Sequence, residues 1–313
     1  MARGTSSNVA LPGTSAHEAP ARPTVWNLIV SLRPGQWTKN LLIFAGLLFG
    51  HRLLNPGAVL AAGAAFLIFC ALSGAVYLTN DVLDRESDRR HPLKARRPIA
   101  SGALPASTAI GTASLLAVAG LGAAFSLNIR FGIVAGLYVA LLGLYCGPLK
   151  HVVIIDVLTI AIGFVLRAIA GAAAVDVAIS HWLLVCTTLL ALFVALAKRR
   201  HELVLLADGA TGHRPILGEY SPYLLDQMIA VVTASTLIAY VFYTISPETI
   251  QKFGTPGLGL TIPFPLYGIL RYLYLVHQRE GGGSPADLLL TDRPLLVCVA
   301  LWVLSVVVII YRP

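Results

Sequence analysis

The chain has 313 residues, of which 57% are apolar and only 12% charged, and its net charge is +8. Soluble globular chains carry about 25% charged residues, so this composition excludes an ordinary soluble enzyme, a disordered chain, a collagen-like chain and a disulfide scaffold. What remains is a polytopic membrane protein. The positive charge reads as membrane topology. The basic residues are interleaved with apolar spans and no stacking aromatic surface accompanies them, so nucleic acid is not expected as a partner. Cys70, Cys146, Cys186 and Cys298 all sit in apolar stretches without a CxxC pair and read as small core residues.

Residues 1–23, rich in Ser, Ala, Gly, Thr and Pro, are expected to form a flexible tail, and residues 24–313 one transmembrane domain. The tail has no continuous apolar run and does not read as a signal peptide. A bilayer-spanning helix needs about 20 mainly apolar residues. Nine candidates follow: 37–50, with a lead-in helix at 25–33, then 57–79, 106–127, 131–147, 152–175, 181–197, 224–245, 260–277 and 294–311. The runs are long, Ala- and Leu-rich and do not alternate, so strands are excluded. The predicted fold is all-α. Nine crossings put 18 Lys and Arg on one side and 4 on the other, which predicts a cytoplasmic N-terminus. Gly46/Gly50, Gly132/Gly136 and Gly143/Gly147 are expected to serve helix packing.

Acidic residues concentrate on the basic side. The stretch Asn80-Asp81-Val82-Leu83-Asp84-Arg85-Glu86-Ser87-Asp88 directly follows an apolar span. On a continuing helix, positions 81, 84 and 88 fall at about 0°, −60° and −20° around the axis, so the three aspartates share a face, with Asn80 beside Asp84. Carboxylates at that spacing repel one another unless a cation neutralises them. Oxygen-only donors favour Mg2+, Mn2+ or Ca2+, and Mg2+ completes its shell with water and substrate phosphates. The expected ligand is therefore phosphorylated and held through metal. Downstream, Lys94, Arg96 and Arg97 offer positive charge for phosphate. The competing reading is a solvated helix end whose acids pair with Arg85, Arg89 and Arg90.

A second cluster, Lys198-Arg199-Arg200-His201-Glu202, ends another span on the same predicted side. With Glu202 as its only acid it suits a phosphate clamp better than a second metal. Gln36 and Lys39 at the first span, and Tyr145 and Lys150 around a Gly-Pro turn, flank the same face. Asp156 and Arg167 lie inside an apolar run, where charges face a protein interior or wet cavity. They share a face but are too far apart to touch, and the competing reading is a structural pairing of each with other residues. No zinc pattern, GxSxG, Walker A or dinucleotide fingerprint is present.

These residues resemble the UbiA superfamily of intramembrane prenyltransferases. The resemblance rests on Asn80-Asp81-x-x-Asp84-x-x-x-Asp88 followed by Arg96-Arg97-Pro98-Ile99-Ala100-Ser101-Gly102, and extends over nearly the whole chain after residue 24. It implies a nine-transmembrane-helix bundle around a central cavity, capped by polar cytoplasmic loops. Within the superfamily the chain is similar to the branch that transfers phosphoribose to decaprenyl phosphate in cell-wall arabinan precursor synthesis. That similarity rests on Arg33-Pro34-x-Gln36-Trp37-x-Lys39-Asn40, on Asp81-x-x-x-Arg85-x-x-Asp88-Arg89-x-His91-Pro92 and on Lys198-Arg199-Arg200-x-Glu202. Aromatic prenyltransferases of the superfamily usually carry a second aspartate-rich motif where this chain has Lys198 to Glu202. One acidic and one basic motif suit phosphoribosyl pyrophosphate, which bears a phosphate far from its pyrophosphate.

The resemblance implies Mg2+-dependent transfer of 5-phosphoribose to a polyprenyl phosphate with release of pyrophosphate, at the plasma (inner) membrane. In that reading Asp81, Asp84 and Asp88 are catalytic and hold the metal. Gln36, Lys39, Asn80, Lys94, Arg97, Tyr145, Lys150, Lys198, Arg199 and Glu202 bind substrate. Whether the chain forms a homo-oligomer is left open. The alternatives are an aromatic or quinone prenyltransferase using a prenyl diphosphate, and a transporter or lipid-binding protein. Transporter sites tend to lie at the bilayer midplane, whereas these charges cluster at one interface.

Overall fold

The computed structural model describes residues 23–91, 94–205, 215–278 and 285–311. Apart from Pro23, the expected tail lies outside the described residues, as do Arg214 and Arg279. Among the described residues every regular element is helical, as the composition predicts.

A short helix, α1 (Thr24–Ser31), leads into a 3-10 segment (Pro34–Ile43) and α2 (Phe44–Phe49). Then come α3 (Pro56–Leu83), α4 (Arg85–Arg90), α5 (Pro98–Ser101), α6 (Ala106–Leu127), α7 (Ile129–Cys146) and α8 (Ile155–Ala174). The chain continues through α9 (His181–Leu205), α10 (Pro222–Ile245), α11 (Pro247–Phe253), α12 (Pro263–Gln278), α13 (Pro285–Thr291) and α14 (Arg293–Tyr311). Local chemistry sets several starts. Asn55 accepts from Ala58 N–H at 3.0 Å ahead of Pro56. Ser221 and Ser246 cap α10 and α11 in the same way, each followed by proline. A capping oxygen satisfies an orphan helix donor, and proline at the first position gives up a donor that has no partner anyway.

Among the described residues, eight helical stretches are long and apolar enough to cross a membrane: α3, α6, α7, α8, α9, α10, Gly257–Gln278 and α14. Large apolar side chains such as Leu60, Leu67 and Val118 point outward. In water that would be costly; against lipid it is the expected arrangement. The interior is built on α3 and α8. Half of the α8 span is buried, against 17% of the α6 span.

The first expected span is not a long α-helix. Pro34, Gly35 and three consecutive polar residues, Thr38, Lys39 and Asn40, wind it as a 3-10 segment before α2 begins. It still runs the length of α3 in the opposite direction. Arg33 meets Asp81, Asn40 meets Ser73, Phe44 stacks near Phe66, and Leu47 packs with Ala62. The rise of a 3-10 helix is about 2.0 Å and of an α-helix 1.5 Å, so ten and six residues reach roughly 29 Å, close to the hydrocarbon thickness of about 30 Å. A segment of that reach therefore stands where the ninth crossing is expected, in a tighter winding and outside the eight long apolar helices.

This crossing packs tightly on α8. A Cβ at Gly171 would sit 1.9 Å from the Ile43 carbonyl oxygen, and one at Gly46 would sit 2.6 Å from Ala172 N. Gly132 is likewise closed in by Phe125. The packing expected at Gly136 and Gly143 is not found, since a Cβ at either would meet nothing within 4 Å. The C-terminus returns to the first crossing: Tyr311 Oη accepts from Leu53 N–H at 3.0 Å and lies 3.1 Å from the Leu48 carbonyl, to which it donates.

Candidate active site

α3 ends at Leu83 because Asp84 leaves helical geometry, with φ −87° and ψ 4°. The chain bends there into α4, so the acidic motif is a helix, a one-residue break and a second helix. The single continuous face expected for the three aspartates is therefore divided. Asp81 and Asp88 turn the same way and share one guanidinium: Arg97 Nη1 is 3.1 Å from Asp81 Oδ1 and 2.6 Å from Asp88 Oδ2. Arg33 Nη2 reaches the same Asp81 oxygen at 2.5 Å. Asp84 turns aside, to Lys150 Nζ at 2.6 Å and Asn80 Nδ2 at 3.1 Å. Both Asp81 and Asp88 are buried.

Local pairing of the aspartates with Arg85, Arg89 and Arg90 is not what the structure shows. Arg89 instead pairs with Glu86 at 2.9 Å and donates to the Ala100 carbonyl. The partners of the aspartates come from far along the chain: Arg33 before the first crossing, Arg97 before α5, and Lys150 after α7. Burying two carboxylates is costly unless each is paired and hydrogen-bonded. Arg33 and Arg97 meet that cost for Asp81 and Asp88, and Lys150 pairs with the half-buried Asp84. Among the described residues no three His, Cys, Asp or Glu side chains lie together as a metal cluster. The donors present, carboxylates of Asp81, Asp84 and Asp88 with the Asn80 amide, are oxygens and suit a hard cation. Mg2+ uses only one or two carboxylates when substrate phosphates complete its shell.

Gln36 and Lys39 lie half-buried on the 3-10 segment that starts beside Asp81, and Tyr145 and Lys150 flank the turn after α7. Lys94 sits in a 3-10 turn that leads to Arg97. Of these, Lys150 is brought onto the acids, through Asp84, while Lys39 directly precedes Asn40, which meets Ser73 further along α3.

The second cluster is organised around a buried ion pair. Arg199, 1% exposed, has Nε 3.2 Å from Asp156 Oδ2, an ion pair without the geometry of a hydrogen bond, and Asp156 is wholly buried. Arg199 also bonds Glu202, whose other oxygen is 3.8 Å from Lys198 Nζ. Tyr220 Oη donates to Asp156 Oδ1 at 3.1 Å and accepts from Ile154 N–H at 2.7 Å. Ile154 has φ 69°, a left-handed conformation costly for a β-branched residue, and Tyr220 fixes it. Burial pushes the Tyr220 hydroxyl up from its ordinary pKa. Arg199 thus ties α8 to α9 and is committed to carboxylates. Lys198 is the more accessible of the two basic residues expected on phosphate.

Sequence reasoning did not select Arg33, Asn40 or Tyr220 as site residues. Arg33 and Asn40 stood within the quoted Arg33-Pro34-x-Gln36-Trp37-x-Lys39-Asn40 stretch, but nothing local links Arg33 to an acid 48 positions on. Two cavities lie apart from the acids. One of about 200 Å3, at the opposite end of α9, is lined by Gly46, Tyr243, Glu248 and Lys252; an apolar one of about 320 Å3 lies between α8, α9 and α10.

Comparison with known proteins bears on this arrangement. A decaprenyl-phosphate phosphoribosyltransferase of Corynebacterium glutamicum is 33% identical, over 91% of this chain and 86% of that protein. One of Mycolicibacterium smegmatis is 34% identical, over 93% and 95%. The structure of a UbiA homologue from Archaeoglobus fulgidus bound to GPP and Mg2+ superposes with a TM-score of 0.72 at 19% identity, covering 91% of this chain and 99% of that one. Its likeness concerns the fold. The model of the UbiA prenyltransferase family matches residues 40–290, and with relatives this similar along nearly their whole length, the chain belongs to that family.

Proposed function

We propose that the protein transfers 5-phosphoribose from phosphoribosyl pyrophosphate to a polyprenyl phosphate of decaprenyl type. An oxygen of the lipid phosphate attacks C1 of the ribose, the bond from C1 to the pyrophosphate oxygen breaks, and pyrophosphate leaves. The observation that carries this reading is the interleaving of Asp81, Asp84 and Asp88 with Arg33, Arg97 and Lys150 at one end of an apolar bundle. Acids of that kind suit a metal, and cations of that kind suit phosphate. The names of the curated relatives supply the substrate class.

Asp81, Asp84 and Asp88 would supply the one or two carboxylates that hold Mg2+, with Asn80 steadying its shell, and the ion would neutralise charge on the departing pyrophosphate. The A. fulgidus homologue supports the choice of ion. Arg33, Lys94, Arg97 and Lys198 hold phosphates of the donor. Gln36 and Lys39 guide the acceptor phosphate into line, and Tyr145 and Lys150 clamp from the α7 side. Arg199 and Glu202 set the position of Lys198. The acceptor phosphate is already anionic, so no strong base is required, and catalysis rests on alignment and electrostatics.

The polyprenyl tail stays in lipid while the polar donor enters from the cytoplasm. The surplus of Lys and Arg on the side holding the site supports a cytoplasmic N-terminus and site, in the plasma membrane. Purified protein supplied with labelled phosphoribosyl pyrophosphate and decaprenyl phosphate yields a labelled lipid. A prenyl diphosphate with an aromatic acid, supplied instead, yields nothing. The reverse outcome assigns the protein to aromatic prenylation.

A further inference from the structure

Arg167 lies about 18 Å along α8 from its first residue, at 1.5 Å per residue, and is 5% exposed. A guanidinium at that depth is costly. Among the described residues no carboxylate pairs with it. Its fork is filled by neutral acceptors instead. Nε donates to Asn40 Oδ1 at 2.8 Å, Nη1 to the Gly163 carbonyl at 2.9 Å, and Nη2 to Tyr138 Oη at 2.6 Å. The plane also sits 4.7 Å from the centre of the Tyr138 ring. One side chain therefore joins α7, α8 and the first crossing. Asn40 carries the link to α3 by donating to Ser73 Oγ at 3.2 Å.

The first crossing needs such a link. A ten-residue 3-10 helix is longer than that winding usually sustains. It follows Arg33, whose φ of 53° is unusual for a residue with a side chain. Its shape must come from contacts with neighbours. Gly163, Arg167 and Gly171 recur every four residues, on one face of α8. Gly171 lets the Ile43 carbonyl approach, and Arg167 then holds Asn40. Gln36 and Lys39 stand four and one positions before Asn40 on the same segment.

We infer that Arg167, acting through Asn40, is the positioning residue that holds the Gln36–Lys39 segment at the acceptor side of the site. The inference rests on the functional reading above for what that segment binds, but not for the clamp itself. The test uses the full chain in detergent micelles, comparing wild type with Arg167→Met, Asn40→Leu and Asn40→Asp. Hydrogen–deuterium exchange is followed by mass spectrometry, and steady-state kinetics are measured for each substrate.

In Arg167→Met and Asn40→Leu, exchange over residues 34–43 rises about ten-fold or more, as expected when a buried hydrogen bond of this kind is lost, while α6 is unchanged. KM for decaprenyl phosphate rises by a similar factor, and KM for phosphoribosyl pyrophosphate stays within about two-fold. Asn40→Asp keeps the accepting oxygen and stays near wild type in both readouts. Asn40→Leu leaves Arg167 its bonds to Gly163 and Tyr138, so it carries the test if Arg167→Met does not fold. Unchanged exchange over 34–43, or parallel rises in both KM values, overturns the inference. A wild type that turns over neither substrate refutes the functional reading, and the exchange comparison then decides the clamp alone.

Discussion

Lys150 Nζ lies 2.6 Å from Asp84 Oδ1, joining the turn after α7 to the break between α3 and α4. Asp84 is thereby held apart from Asp81 and Asp88, which share Arg97. Lys150→Met removes that hold and leaves a half-buried carboxylate with Asn80 as its remaining bonded partner. Turnover falls by about ten- to a hundred-fold, in the range seen when a group supporting a metal ligand is lost. Lys150→Arg retains more activity than Lys150→Met. A kinetic comparison of the two variants checks this.

Asp81→Asn and Asp88→Asn each remove a carboxylate while keeping the side chain's shape. Turnover drops about 100-fold or more, the order expected for lost charge stabilisation in a transition state, while the protein stays monodisperse in detergent. Full activity in either variant refutes the assignment.

Treatment with EDTA followed by desalting abolishes transfer, and added Mg2+ restores it. Titration calorimetry finds pyrophosphate binding weakened in the stripped protein. Retained activity after stripping would overturn the metal reading.

Removing one partner of a buried ion pair such as Arg199–Asp156 costs about 3–5 kcal/mol, and more of that is expected at the wholly buried Asp156 than at Arg199, which also bonds Glu202. Arg199→Met and Asp156→Leu each lower Tm sharply. The double variant recovers much of the loss, because two apolar groups of similar volume replace the pair. Thermal unfolding of the three variants in one detergent measures the coupling.

The Arg271 guanidinium beside Asp292 holds its carboxyl below the ordinary value of 3.8, and Asp292 also caps α14 through Leu295 N–H at 2.9 Å. A carboxylate whose folded pKa is lowered contributes stability above its unfolded value, and that contribution is lost as pH falls through the folded value. Tm therefore declines below about pH 4, the unfolded aspartate range, by more in wild type than in Asp292→Asn. Equal declines would show that the contact between α12 and α14 is immaterial.

Composition and periodicity determined that the chain is an all-helical membrane bundle, because a span must satisfy its own backbone and present apolar side chains to lipid. They also located the acids and the basic clusters, because charge is rare in such a chain and stands out wherever it occurs. Partnership was decided only in three dimensions. A helix-face argument aligns Asp81, Asp84 and Asp88, but the non-helical backbone at Asp84, together with cations arriving from other elements, divides them. The same holds for Arg199, which reads as a phosphate ligand in sequence and is buried against Asp156, and for Arg167, whose partners lie on other crossings. The winding of the first crossing was equally hidden, since its shape depends on Gly171 and Arg167 of another helix. Hydrophobic pattern is a local property of the chain, whereas the cost of burying a charge is settled by whatever distant group the fold brings within reach.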